Sequence, residues 1–255
     1  DINTNNFNLA AFNDFVDRNQ VRNIRGSIDG RVFMEGRLDE LDTRGEMRLK
    51  NASVRIVPSG ITVDGINADF IFSPDLFTVN NFQARSGNGS LNMKGTVGFE
   101  DLTPGSMDIT LAAKNFRVAN TSQYNAAINL DSKISGSYSK PVISGSLSVL
   151  NGFAELDNFG EKSVESVQLD DSVEPQTSAA VYDSLKLDVD VAFNRRFFIR
   201  NQRYLEMEVE LDGSVDMLKD PGGELQMFGT LETVNGYARP LGKQFDLEEG
   251  VVSFT

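Results

Sequence analysis

The sequence predicts an all-β protein with one amphipathic helix at its N-terminus. Three observations carry this. Apolar and polar residues alternate with period two from about residue 21 onward. Turn-forming clusters punctuate the alternation at intervals of ~8–12 residues, and only the opening segment has a helical period.

The opening segment, NNFNLAAFNDFVDRN, sets Phe12, Phe15 and Val16 at i, i+3 and i+4. That single apolar stripe predicts a helix over 5–20, with Asn5, Asn6 or Asn8 as its cap. The strands follow. SLNMKGTVGF puts Leu91, Met93, Val97 and Phe99 in one row with Gly95, and SMDITLAAKNF does the same with Met107, Ile109 and Leu111. AAINLDSKISGSY contributes Ile128, Leu130 and Ile134, and SLKLDVDVAF contributes Leu185, Leu187, Val189 and Val191. YLEMEVELDGSVDM adds Leu205, Met207, Val209 and Leu211, and Leu231 follows near the C-terminus. The opposite face of each strand is mostly Asp, Glu, Ser, Thr, Lys or Asn, as in a sheet with one wet and one dry side. Turns are expected at VPSG (57–60), SPDL (73–76), SGNG (86–89), LTPG (102–105) and KDPGG (219–223). One acidic, polar segment, 157–180, breaks the rhythm and reads as a polar insertion or flexible loop.

A motif recurs. GEMRLKNASVRI, GSLSVLNGFAEL and GTLETVNGYARP each carry an asparagine six residues after a glycine, at Asn51, Asn151 and Asn235. Asn-Gly between alternating runs is a strong short-range turn signal, so each copy reads as a hairpin. Repetition on this scale suggests modules that add side by side.

Composition excludes several functions. The chain has 255 residues and a formal net charge of −13, which argues against a nucleic-acid partner. It has no Cys, no His and no Trp. Serine–histidine and cysteine–histidine nucleophiles are therefore excluded, as is zinc held by His or Cys. No apolar run approaches the ~20 residues of a membrane span. The chain begins at Asp1 and ends within an apparent strand, EEGVVSFT, so a piece of a longer protein is expected. Paired carboxylates such as Asp188 and Asp190, or Glu206, Glu208 and Glu210, alternate with apolar residues, as on any solvated face. No catalytic residue, metal ligand or cofactor is assigned. NRRFFIRNQR, with Arg195, Arg196, Arg200 and Arg203, is the one basic patch. It is a charged strand edge or a contact for phosphate headgroups or an acidic partner.

An apolar face on many strands needs cover, and one helix covers few of them. Two solutions remain open: rows that pack on each other as a closed core, or a sheet curled into a trough whose rows line a channel. Such a channel would suit acyl chains, since each buried methylene is worth ~0.8 kcal/mol. Alternation alone favours the closed core.

Several segments, in order, resemble the C-terminal region of the TamB family, the inner-membrane component of the translocation and assembly module, which has AsmA-like relatives. They are FNLAAFNDF, VRNIRGSIDGRVFMEGRL with its Ile24-x-Gly26-x-Ile28-x-Gly30 spacing, SGNGSLNMKGTVGFEDLTPG, and the closing run with Gly236, Gly242, Phe245, Leu247, Gly250 and Phe254. The resemblance implies a single elongated domain over 1–255: a curled antiparallel or mixed sheet, trough- or taco-like, with an apolar interior. It implies a non-enzymatic periplasmic factor, anchored in the inner membrane through the full-length protein. Such a factor carries phospholipid or supports outer-membrane protein assembly with a BamA/TamA-type partner. The alternative is a chaperone-like scaffold that pairs with strands of outer-membrane clients.

Overall fold

A computed structural model describes residues 1–37, 40–100, 103–156, 181–202 and 206–255. Among them, fourteen strands form one sheet. β1 (Ile2–Asn8), β2 (Val21–Arg37), β3 (Glu40–Ile56), β4 (Ile61–Ser73) and β5 (Leu76–Ser86) open an antiparallel meander. It continues through β6 (Gly89–Glu100), β7 (Thr103–Asn120), β8 (Tyr124–Ser137) and β9 (Lys140–Glu155). β10 (Lys186–Asn201) pairs with β9 in parallel. β11 (Met207–Lys219) and β12 (Gln226–Ala238) resume the antiparallel order. β13 (Phe245–Leu247) and β14 (Gly250–Phe254) share the outer edge of β12. The strand path starts at β1 and ends at β13 without joining them, so the sheet is mixed and open.

Curling is visible where β4 and β7 meet. The β5–β6 hairpin is short, and its neighbours close over its tip. The Asn120 N–H donates to the Ser59 carbonyl at 2.7 Å, and the Ser86 hydroxyl to the Arg117 carbonyl at 2.8 Å. Ala52, Ile61, Val63, Ile66, Ala84 and Phe116 are buried together beneath this contact. The core therefore lies at one end of the strands, on the apolar face, which makes that face concave. Elsewhere the face stays open. The accessible surface is 16754 Å², whereas a compact chain of this mass would expose about 11,000 Å².

The N-terminal helix expected over 5–20 is not formed. β1 occupies Ile2–Asn8 and a 3-10 helix occupies Leu9–Asp14. An isolated helix this short, rich in Asn and Asp, has little stability of its own. Pairing with the open edge of β2 satisfies backbone groups instead. Phe7 aligns with Ile28. The Asn13 side chain bonds both the N–H and the carbonyl of Ile24, each at 2.8 Å, as a further strand would. Leu9 packs on the core, while Phe15 is 85% exposed.

The three repeated motifs are not hairpins either. Asn51, Asn151 and Asn235 lie inside β3, β9 and β12, and each marks a break in register. Asn151 pairs with Ala127, whereas Ile128 pairs with Val149, leaving Leu150 extra. Likewise Asn235 pairs with Glu210 and Thr233 with Leu211, leaving Val234 extra. These are β-bulges, which bend the strand and raise its twist. The turns expected at 57–60, 73–76, 86–89 and 219–223 do reverse the chain. Of LTPG, Thr103–Gly105 belong to β7 and residue 102 lies outside the described residues. So does the segment 157–180.

The first bulge is held by charge. The Asn6 N–H donates to the Asp29 carboxylate, which also meets the Lys50 ammonium at 2.5 Å. Lys50 first, then the Asn6 N–H, hold the Asp29 carboxyl below its ordinary range. This stabilisation is present above the unfolded pKa of ~3.9 and is lost as pH falls through the depressed folded value. The protection of the Asn6 amide against hydrogen exchange, relative to a free peptide at the same pH, is therefore expected to fall on acidification before that of the β7 and β8 amides. An Asn6 amide that opens together with β7 would contradict this.

Candidate functional site

Strand register places the apolar positions side by side. In the central row, Met93 pairs with Leu111, Leu111 with Ser132 and Ser132 with Gly145. Gly145 then pairs with Val189, and Val189 with Met217. The row extends backward through Phe82, Ala68, Leu49 and Ile28 to Phe7, so it crosses the sheet from β1 to β11. At ~4.8 Å per strand it is about 50 Å long.

Parallel rows flank it. Leu91, Ala113, Leu130, Leu147, Val191 and Val215 form one. Gly95, Ile109, Ile134, Ile143 and Leu187 form another, ending at Lys219. Val97 pairs with Met107, and Phe99 with Pro104. Ile128 leads through Val149, Phe193 and Gly213 to Leu231. Val209 aligns with Ile199, Leu211 with Phe197, and Met207 with Asn201. Leu185 precedes β10 and belongs to no row, and Leu205 and Arg203 lie outside the described residues. Of the row residues singled out in the sequence, only Ile128 and Val209 are fully buried. Leu91, Met93, Leu111, Leu130 and Val189 are half-buried, which a closed core would not leave.

Among the described residues, one cation stands in these rows. Lys219 is 2% exposed, and its ammonium donates to the carbonyls of Asp183, Leu185 and Asp220 at 3.2–3.4 Å, beneath the Tyr182 ring. It ties the residues preceding β10 to the end of β11.

The basic patch is answered by β11. Arg195 pairs with Asp212 at 3.0 Å and Arg200 with Glu208 at 2.7 Å. Arg200 also stacks near the Phe153 and Phe198 rings. The Arg196 N–H donates to Glu210 at 2.8 Å. Asp188 and Asp190 are exposed on the polar face. Among the described residues, no group of three His, Cys, Asp or Glu side chains has a metal-holding arrangement, and no helix is long and apolar enough to cross a membrane.

Two features escaped the sequence reading. One is the aromatic shoulder of β4 and β5. There Phe70 and Phe72 lie 5.7 and 5.1 Å from Phe77, all in the apolar rows. Its signal was plain alternation in ADFIF. The other is the bulge line. Its signal is a one-residue slip in that alternation: Leu49 then Ala52, Val63 then Ile66, Val79 then Phe82, Ala113 then Phe116.

Comparison with known proteins comes last. A family model described as TamB C-terminal domain matches residues 80–255, more than half of the chain. No curated protein and no solved structure matches.

Proposed function

Because this chain belongs to the family described as TamB C-terminal domain, we propose that its apolar face is a trough that holds or conducts phospholipid acyl chains during envelope biogenesis. Family membership supports a role in the Gram-negative envelope in general. The finer reading rests on one observation: a mainly apolar row, with Phe82, Met93, Leu111, Val189 and Met217 half-buried in it, crosses the sheet, and among the described residues no second layer lies over it. Burial alone can bind an acyl chain there, at ~0.8 kcal/mol per methylene, with no specific polar contact. In this reading the protein is non-enzymatic, acts in the periplasm and is anchored in the inner membrane through the rest of its chain. It meets an outer-membrane assembly protein of the BamA/TamA type there. Native mass spectrometry of the purified protein is expected to find acyl lipid bound in a defined ratio. Lipid-free protein that also fails to take up phospholipid from vesicles would end the proposal.

A second reading has its own support. Val251 and Val252 of β14 are each 55% exposed, and a strand edge can pair with a client strand. Photo-cross-linking separates the two: a client strand would map to Val251 and Val252, an acyl chain to Leu111 and Val189.

A further inference from the structure

We infer that Asp29, Asn67, Asn129 and Glu210, four polar side chains on the outer face, are positioning residues that set the width of the trough. The inference rests on the trough reading for its use, and on the bulges alone for its geometry.

Four of the breaks in register share one construction. A residue with left-handed backbone sits in the bulged strand: Asn6 (φ 54°), Asn51 (φ 44°), Asn115 (φ 49°) and Arg196 (φ 61°). The extra residue leaves an amide that the ladder does not pair. In each case a side chain of the next strand accepts it. Asp29 takes the Asn6 N–H and Asn67 takes the Asn51 N–H at 3.0 Å. Asn129 takes the Asn115 N–H at 2.9 Å, and Glu210 takes the Arg196 N–H at 2.8 Å. Asn67 also donates to the carbonyl of Gly65 at 2.9 Å, so it serves the bulge of β4 as well. The arrangement recurs on β1–β2, β3–β4, β7–β8 and β10–β11, spread across the width of the sheet.

On β1, β3 and β7 a slip in alternation explains the need, whereas on β10 two residues are extra and the phase is kept. Without the bulge at Lys114–Asn115, Ala113 could face inward or Phe116 could, but not both, because one residue of register exchanges the faces. The bulge lets both halves of a strand point into the concave side and bends the strand between them. Residues that fasten the bulge therefore fix how the two halves stand to one another.

The chain has no cysteine, so spin labels can be placed at Ser106→Cys and Ser122→Cys, on either side of Asn115. In Asn129→Leu the distance between them is expected to broaden and to lengthen by about one residue's rise, ~3.3 Å. Asn129→Asp keeps an acceptor and is expected to restore the parent distance. An unchanged distance in folded Asn129→Leu overturns the inference. Should that variant not fold, the parent protein still decides. Exchange at the Asn51, Asn115 and Arg196 amides is expected to be as slow as at neighbouring ladder amides, and exchange at free-peptide rates overturns it. Capture of a fluorescent long-chain fatty acid keeps the two readings apart. A parent protein that captures none removes the trough and leaves the bend standing. A lengthened distance with capture weakened about fourfold, the equivalent of one buried methylene, supports both.

Discussion

Val189→Glu is expected to leave the sheet folded and to abolish capture of acyl chains. Val189 stands in the central row between Gly145 and Met217 and is half-buried. In a closed core a lone carboxylate there would cost several kcal/mol and unfold the domain. In a trough open to water the carboxylate stays hydrated. The cost then falls to the lost apolar contact and β preference, about 1–2 kcal/mol. The same charge lies in the path of an acyl chain, and capture is expected to weaken by at least about tenfold, or ~1.4 kcal/mol. Chemical denaturation and fatty-acid displacement measure the two quantities on one sample. Unfolding with no separable effect on capture would mean that the rows pack on each other.

Gly145→Ala, a single-methyl addition on β9, is expected to give a large stability loss. Its backbone has φ +140°, and a Cβ there would stand 2.1 Å from the Asp131 carbonyl oxygen and 2.7 Å from the Ser132 Cα. Neither atom can retreat without opening the β8–β9 ladder, and the parallel ladder to β10 passes through the same residue. A loss of about 3 kcal/mol or more follows from the combined strain and displaced strand. Gly222→Ala is the control. Its φ is +72° with nothing within 4 Å, so only backbone strain of about 1 kcal/mol applies. Equal midpoints for the two variants in urea would refute the steric argument.

The same glycine shows what could be read beforehand. Alternation at Leu91, Ile109, Leu130 and Val189 is a local property, and it specified the strands, while the turn clusters specified the reversals at 57–60, 73–76, 86–89 and 219–223. The recurring glycine-to-asparagine step was visible too, and it is a structural repeat. Gly45, Gly145 and Gly229 each sit where a Cβ would meet the preceding strand's carbonyl, at 2.1, 2.1 and 2.4 Å, and a bulge follows at Asn51, Asn151 and Asn235. What failed was its interpretation as a turn. An Asn-Gly hairpin and a bulge ask the same unusual backbone of asparagine and glycine. Only the continuation of the apolar row beyond Asn235, one position out of phase, distinguishes them. The helix failed for a related reason. Phe12 and Phe15 have helical spacing, yet the spacing says nothing of the unpaired edge of β2, which claims Phe7 and Asn13 instead. Whether the rows meet or stay apart was beyond local pattern, because an inward-facing valine alternates identically in both cases.

The meander also makes length a free variable. Nearly every contact between strands is with the next strand in sequence, the departures being the pairing of β14 with β12 and the crossing of β4 and β5 to β7. A duplicated hairpin inserted between two such strands would inherit ready-made neighbours on both sides. Each insertion would extend the row by two strand spacings, ~9.6 Å, while leaving the existing packing as it was. A globular core cannot grow this way, since added chain must be repacked from all directions. Selection can therefore tune the reach of such a protein as one cuts a rod to measure, with the glycine-to-bulge step as the unit of cutting.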